Sequence, residues 1–291
     1  MNEVDPRLLN TVYIISKGRP QCKTAHTLKR IKFPGDWFIV CGTNDETLGE
    51  YIARWGVERV KVFDFDEQLE TTDTMDNFGF EAKASGACPV RNAVREISWA
   101  RGELRHWQFD DDYTGFSRFD PETHRNRAVR DGEELYGLMA AVSAFGHRAG
   151  LRNVGFPPST MEVCPARVGG WSSRVFNAHN MPSDPGLFTP WVGRMNDDLI
   201  NAINTWRRGG IEMTVKFMSM NMPPTQSEKG GLTEMYRDDG TVRKTAYAVM
   251  ACPASVRLVE RFRRYHHKAD WTLICPKIVS DAHRRKDDGG V

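Results

Sequence analysis

Apolar positions in the first third of the chain alternate between two rhythms. TVYIIS (11–16) and DWFIVCG (36–42) are short apolar runs, bounded by breakers such as KGRP and Gly42, and RVKVFDF (59–65) reads as a third strand. Runs of this kind predict strands buried on both faces. Between them the period lengthens. TAHTLKRI predicts a short helix, and ETLGEYIARWG sets Leu48, Tyr51, Ile52 and Trp55 at helical spacing with Gly56 as the stop. In CPVRNAVREISWARGE, Val90, Ala93, Val94 and Ile97 recur at i, i+3, i+4 and i+7, which predicts an amphipathic helix. LRHWQF then predicts a strand running into Asp110, Asp111 and Asp112. Strands alternating with helices predict an α/β fold with a mostly parallel central sheet and helices on both faces.

The second half is less regular. EELYGLMAAVSAFGHRAG predicts a helix ending at Gly150, and NDDLINAINTWRRGG one with Leu199, Ile200, Ile203 and Trp206 on a single face. GFPPSTMEVCPARVGGWSSRVFN has hairpin or loop character. SVRLVERFRRYHHKADW is read as opening with a third helix. There is no internal repeat and no low-complexity linker.

Composition narrows this little. The chain has 291 residues, 40% hydrophobic and 27% charged, as in a globular protein with ample core. No apolar run approaches a membrane span, and MNEVDPRLLN lacks the basic-then-apolar pattern of a signal peptide. A formal charge of +2 neither implies nor rules out nucleic-acid binding, since a local basic face suffices for it. The six cysteines are scattered, with no zinc-type pairs and no disulfide framework, so reduced thiols and a cytoplasmic location are expected. Residues 281–291, charged and then Gly-rich, are expected to be a flexible tail.

The candidate chemistry centres on the aspartate triplet. Three adjacent carboxylates repel one another, yet these sit where a parallel strand ends, and ligands of open α/β sheets bind at carboxyl ends of strands. A divalent cation takes oxygen ligands and cancels the repulsion. The alternative is a solvated acidic turn ahead of Tyr113 and Gly115.

VYIISKGRP, PVRNAVREISWA and WQFDDDY, in that order, resemble the nucleotide-binding half of a GT-A (Rossmann-like) glycosyltransferase. More narrowly, they resemble the TET-associated glycosyltransferases of phages, with YHHKADW similar to that family's closing histidine motif. The resemblance runs from residue 11 to about 275. It implies a nucleotide-sugar-binding half (1–118) and an acceptor-binding, catalytic half (119–280) of one domain. The implied activity moves a sugar from a nucleotide sugar, UDP-glucose or similar, to a 5-hydroxymethylpyrimidine in DNA, with Mn²⁺ or Mg²⁺ and with inversion at the anomeric carbon.

Under that resemblance Asp110 and Asp112 flank the diphosphate and hold the metal, with His266 (or its neighbour His267) completing the coordination, and Asp111 lies beside the nucleotide. Ser16, Lys17 and Arg19 follow the first strand and face uracil, ribose or phosphate; Lys17 and Arg19 could equally be ordinary exposed cations. Arg91 and Asn92 open a helix at the nucleotide edge, where Arg91 and Arg95 stand one turn apart or else pair with surface acids such as Glu96. Asp45 sits where this fold often reads uracil, or caps the helix in ETLGEYIARW, the cap being preferred. Asp198, and Asp197 after it, are candidates for the catalytic base at the start of a helix that Asn196 could cap; the alternative is that both acids only complement the helix dipole. Trp171, Ser172 and Arg174, beyond Gly169 and Gly170, are candidates for sugar or acceptor contact, or a hairpin with a buried Trp. Arg125, Arg127 and Arg130, with the RFRRYHHK cluster, are candidates for phosphate contact or simply a solvated face. Two other readings stand beside this one: a glycan, protein or small-molecule acceptor, and a non-catalytic DNA-binding module on a transferase-like scaffold.

Overall fold

The structure is a computed structural model that describes residues 5–75, 86–159, 175, 177–223, 233–261 and 263–275, with side chains left aside within 233–241. Its first half follows the predicted alternation: β1 (Val12–Ile15), α1 (Lys23–Arg30), β2 (Trp37–Gly42), α2 (Leu48–Trp55), β3 (Val60–Phe63), α3 (Phe65–Thr71), α4 (Cys88–Ala100) and β4 (Arg105–Asp110). These four strands pair in parallel in the order β3-β2-β1-β4. Beyond β4 the sheet continues through β8 (His179–Pro182), β7 (Asn153–Gly155) and β9 (Glu212–Thr214), seven strands in all. The β4–β8 and β8–β7 pairings are antiparallel and β7–β9 is parallel, so the sheet is mixed but mostly parallel.

Every residue of β1 and β2 is buried, as their unbroken apolar runs require. Alternate side chains point to opposite faces. Val12, Ile14, Ile39, Cys41, Trp107 and Phe109 face a large cluster that takes in Leu28 of α1 and Tyr51 and Trp55 of α2. Tyr13, Ile15, Phe38 and Val40 face the other way onto Val94, Val90 and Ile97 of α4. Helices therefore cover both faces. The apolar stripe of α2 is narrower than its spacing suggests, because Ile52 stays exposed.

The connections decide where a ligand can sit. From β1 the chain steps outward to β2 and β3, then returns past β1, through α3 and α4, to β4 on its other side. The carboxyl ends of β1 and β4 are thus neighbours whose outgoing connections diverge, which is the crevice of an open α/β sheet.

The second half holds α5 (Gly132–Arg148), opened by the Asp131 side chain, which accepts from the Glu133 N–H, and α6 (Asp197–Arg207). β5 (Gly115–Asp120), β6 (Arg125–Val129) and β10 (Met218–Asn221) form a three-stranded antiparallel sheet that periodicity did not reveal. The predicted helix in SVRLVERFRRYHHKADW is instead an antiparallel hairpin of β11 (Val256–Arg261) and β12 (Arg264–Ala269), followed by the short α8 (Trp271–Ile274). Arg263 at the turn has φ of 59° and reverses the chain. The helix in this region lies earlier: α7 (Thr233–Ala251), which packs on the hairpin. Its Gly240 and β-branched Thr241 and Val242 weaken the local helical signal, and tertiary packing overrides it. No described helix is long and apolar enough to cross a membrane.

Candidate active site

The loop after β1 is pinned from several sides. The Ser16 hydroxyl lies 2.6 Å from the Tyr51 hydroxyl and donates to Asp111 Oδ2 at 2.6 Å. The Arg19 N–H donates to the Tyr51 hydroxyl, and its guanidinium pairs with Asp111 Oδ1 at 2.9 Å. Gly18, at φ of 68°, needs the conformation that glycine adopts without strain, and its N–H donates to Asp45 Oδ2 at 2.9 Å. The other Asp45 oxygen accepts from the N–H and hydroxyl of Thr47. Asp45 therefore makes the turn into α2 and ties it to the first loop; the N-cap position itself belongs to Thr47. Lys17 is exposed, its ammonium 5.5 Å from the centre of the Phe65 ring.

The three aspartates separate as soon as the strand ends. Asp111 turns toward β1 and is buried among Ser16 and Arg19, so it shapes the first loop. Burial pushes its carboxyl above the ordinary value, and Arg19 and Ser16 pull it back. Asp110 turns the other way: Arg91 Nη2 donates to its Oδ1 at 2.9 Å, and Asn177 Nδ2 to its Oδ2 at 2.8 Å. Removal from water raises the Asp110 carboxyl, Arg91 opposes that shift, and the nearby charge of Asp197 adds to it. Asp112 is half-buried, with its Oδ1 out of contact with solvent.

Arg91 joins the two halves of the site. Besides Asp110, its Nε donates to Asp197 Oδ2 at 3.0 Å, and its guanidinium lies 4.6 Å from the centre of the Trp191 ring. Burial works against its charge, but the two carboxylates outweigh burial and hold the guanidinium above its ordinary value. Arg91 is only 4% exposed, and its guanidinium lies between the two protein carboxylates. The Asn92 side chain accepts from the Trp191 backbone N–H and donates to the Trp191 carbonyl, which fixes the segment leading into α6. Arg95 pairs with Glu96 at 2.9 Å, the surface pairing that its sequence also allowed.

Asn196 sits at the α6 N-cap position, but its side chain makes no cap hydrogen bond and its φ is 57°. Its amide donates instead to the Lys244 carbonyl and meets His267 Nδ1 at 3.3 Å. His266 and His267 point to opposite faces of β12. It is His267, not the preferred His266, that is brought to the α6 end. Asp197 is held inward by Arg91, and Asp198, the next residue, is half-buried. Trp171, Ser172 and Arg174 lie outside the described residues. Arg125, Arg127 and Arg130 are exposed along and just after β6.

Several site residues carried no sequence signal that singled them out. Asn177 reaches Asp110, and the Tyr113 hydroxyl accepts from the Ala178 N–H at 3.0 Å, which holds Asn177 in place. Trp191 stacks on Arg91. Glu212, at the start of β9, is 1% exposed and accepts from the Val175 N–H at 3.5 Å. Burial pushes its carboxyl up to about 8, against the pull of Thr205, Val175 and Asn153, and the charge of Asp198 adds to the rise. A carboxyl raised on folding contributes stability that is fully present below its unfolded value and is lost as pH rises through the folded value. Between about pH 5 and 8 the wild type should therefore lose unfolding free energy relative to Glu212→Gln. Urea titrations across that range check this, and parallel pH profiles for the two proteins would contradict a buried neutral Glu212.

Asp110 and Asp112 offer oxygen donors suited to a hard divalent cation. Among the described residues no three His, Cys, Asp or Glu side chains cluster as a closed metal cage. The donor set suits an open site of one or two carboxylates, completed by phosphate oxygens and water, which is the usual protein share of a Mg²⁺ site. Arg91 and Asn177 fix the orientation of the Asp110 carboxylate.

No curated protein sequence matches the chain. Among solved structures the fold is similar to a protein of Desulfovibrio desulfuricans G20 described as a nucleotide-diphospho-sugar transferase, at 9% identity, over 82% of this chain and 93% of that one. The TM-score of that pair is 0.39. The family model for TET-associated glycosyltransferases matches residues 10–231, which include the β1 loop, Arg91, the aspartate triplet and the α6 acids. That span is well over half of the chain, which belongs to the TET-associated glycosyltransferase family and is a glycosyltransferase.

Proposed function

We propose that the protein transfers a sugar from a nucleotide sugar, UDP-glucose or similar, to the hydroxymethyl group of a 5-hydroxymethylpyrimidine in DNA, with Mn²⁺ or Mg²⁺ and with inversion. The observation that carries this reading is the convergence, at the β1–β4 crevice, of strand-end carboxylates with a helix-borne acid bridged to them by Arg91. The DNA acceptor rests on the family, whose name ties it to TET.

In this reading Asp110 and Asp112 hold the cation. When bound, it neutralises charge on the departing nucleoside diphosphate. The Ser16–Arg19 loop and Asp45 form the floor for the nucleotide, with Lys17 and Arg19 as its nearest cations. Asp111 keeps Arg19 in place. Asp198 takes the proton from the acceptor hydroxyl as that oxygen attacks the anomeric carbon, so the bond to the diphosphate breaks on the opposite face and the configuration inverts. The donor is thus held by residues 1–118 and the acceptor by the later half.

UDP should bind tightly with Mn²⁺ and weakly in EDTA, because a diphosphate beside Asp110 and Asp112 is repelled unless a cation intervenes. Calorimetry measures both affinities, and equal values would remove the metal from the site. Hydroxymethylated DNA should gain a hexose-sized mass by mass spectrometry of digested nucleosides, whereas unmodified DNA, lacking the exocyclic hydroxyl, should not. No gain with any common nucleotide sugar would point to another acceptor.

A further inference from the structure

We infer that the β11–β12 hairpin is a docking ribbon for the phosphate backbone of duplex DNA. The inference deepens the proposed function and takes its acceptor from it. Residues 256–269 carry five Lys or Arg (Arg257, Arg261, Arg263, Arg264, Lys268) against one acid, Glu260. That is a net +4 in fourteen residues, while the whole chain carries only +2, so the rest of the chain is net negative.

The register concentrates these charges. Arg257 lies directly opposite Lys268, Val259 opposite His266, and Arg261 opposite Arg264. Side chains directly opposite share a face. The other face carries Val256, buried in the core, and His267, which meets Asn196, with Leu258, Glu260 and Tyr265 exposed on it nearer the turn. The basic pairs therefore form the outer face, and all four cations on it are exposed. Directly opposed like charges destabilise a ribbon, and a polyanion laid across them would reverse that cost.

The other basic hairpin differs. On β5–β6, Arg118 and Arg127 share Glu134 as a partner. Among the described residues, Arg261, Arg263, Arg264 and Lys268 have no ion-pair partner within 4.0 Å. A two-stranded ribbon also fits the major groove of DNA. Because its inner face is tied to Asn196, the residue before the α6 acids, DNA running along this hairpin passes beside the candidate base, where a target nucleotide turned out of the stack would be received.

The test compares the wild-type protein with a quadruple variant, Arg257→Gln, Arg261→Gln, Arg264→Gln and Lys268→Gln, and with a control at exposed cations of α2 and α5, Arg54→Gln and Arg148→Gln. Two readouts are taken: binding to an unmodified duplex as a function of salt, and transfer to a hydroxymethylated duplex. Phosphate contacts are sequence-independent, so the unmodified duplex reports on the hairpin even if the acceptor reading is wrong. The expected result is a salt slope reduced by about 0.9 for each cation that touches a phosphate. KM for duplex should rise tenfold or more in the quadruple variant, with UDP affinity kept and the control near wild type. Equal slopes and KM values in wild type and quadruple variant, or an equal loss in the control, would overturn the hairpin's role. Duplex binding lost with the hairpin in a protein that transfers sugar to no DNA would uphold the ribbon and sink the acceptor reading instead. A wild type that neither binds duplex nor modifies it would sink both.

Discussion

Asp198→Asn is expected to lower turnover by about a hundred- to ten-thousand-fold, the usual contribution of a general base, while nucleotide-sugar affinity stays near that of the wild type. The base acts on the acceptor oxygen in the transition state, whereas the donor is held by the β1 loop and the aspartate triplet, so the loss falls on kcat rather than on donor binding. The structure separates the two acids that the sequence presented as a pair. Asp197 is tied to Arg91 at 3.0 Å and packed inward, while Asp198 remains half-buried. Burial pushes the Glu212 carboxyl up to about 8, which disfavours a second negative charge beside Asp198 at neutral pH. Steady-state kinetics with calorimetry of UDP binding check this. Near-normal turnover in Asp198→Asn with loss in Asp197→Asn would move the base by one residue. Normal turnover in both would remove a carboxylate base at α6, and with it the case for inversion.

Arg91→Met is expected to abolish transfer and to lower unfolding free energy by about 3–5 kcal/mol, the cost of leaving a buried charge without its partner. Here two carboxylates, Asp110 and Asp197, would lose their shared cation. Arg91→Lys should recover only part of each loss. An ammonium is a compact point charge and cannot hold one carboxylate through Nε and the other through Nη2, nor lie flat on Trp191 as a guanidinium does. Adding Asp197→Asn to Arg91→Met should restore some stability, since the double variant no longer buries that carboxylate unpaired; the cycle measures the coupling. Urea titrations supply the free energies. A loss below about 1 kcal/mol in Arg91→Met, the range of exposed pairs, would show that Arg91 is not the buried bridge between strand end and helix.

The central sheet was legible because its signals are local. The runs at 11–16 and 36–42 are apolar through their centres, and only a strand covered on both faces buries every residue of such a run; β3, at the sheet edge with Lys61 and the exposed Val62 within it, is only partly buried. The aspartate triplet was legible as a site because the strand before it had to stop there. What each aspartate does was not. Asp111 and Asp110 point to opposite sides of β4, and their partners Ser16, Arg91 and Asn177 come from parts of the chain 19 to 95 residues away. No short-range spacing encodes such contacts.

The closing hairpin marks the limit most clearly. Arg257, Arg261, Arg264 and Lys268 are spaced i, i+4, i+7 and i+11, the polar face of a helix. Folded back at Arg263, the same residues pair across two strands and share one face again. The sequence by itself determined which side chains gather on a common surface, because either rhythm unites them. Only the tertiary structure decided that the surface is a ribbon, since burial of Val256 and docking of the hairpin on α7 outweigh the helical preference of its charged residues.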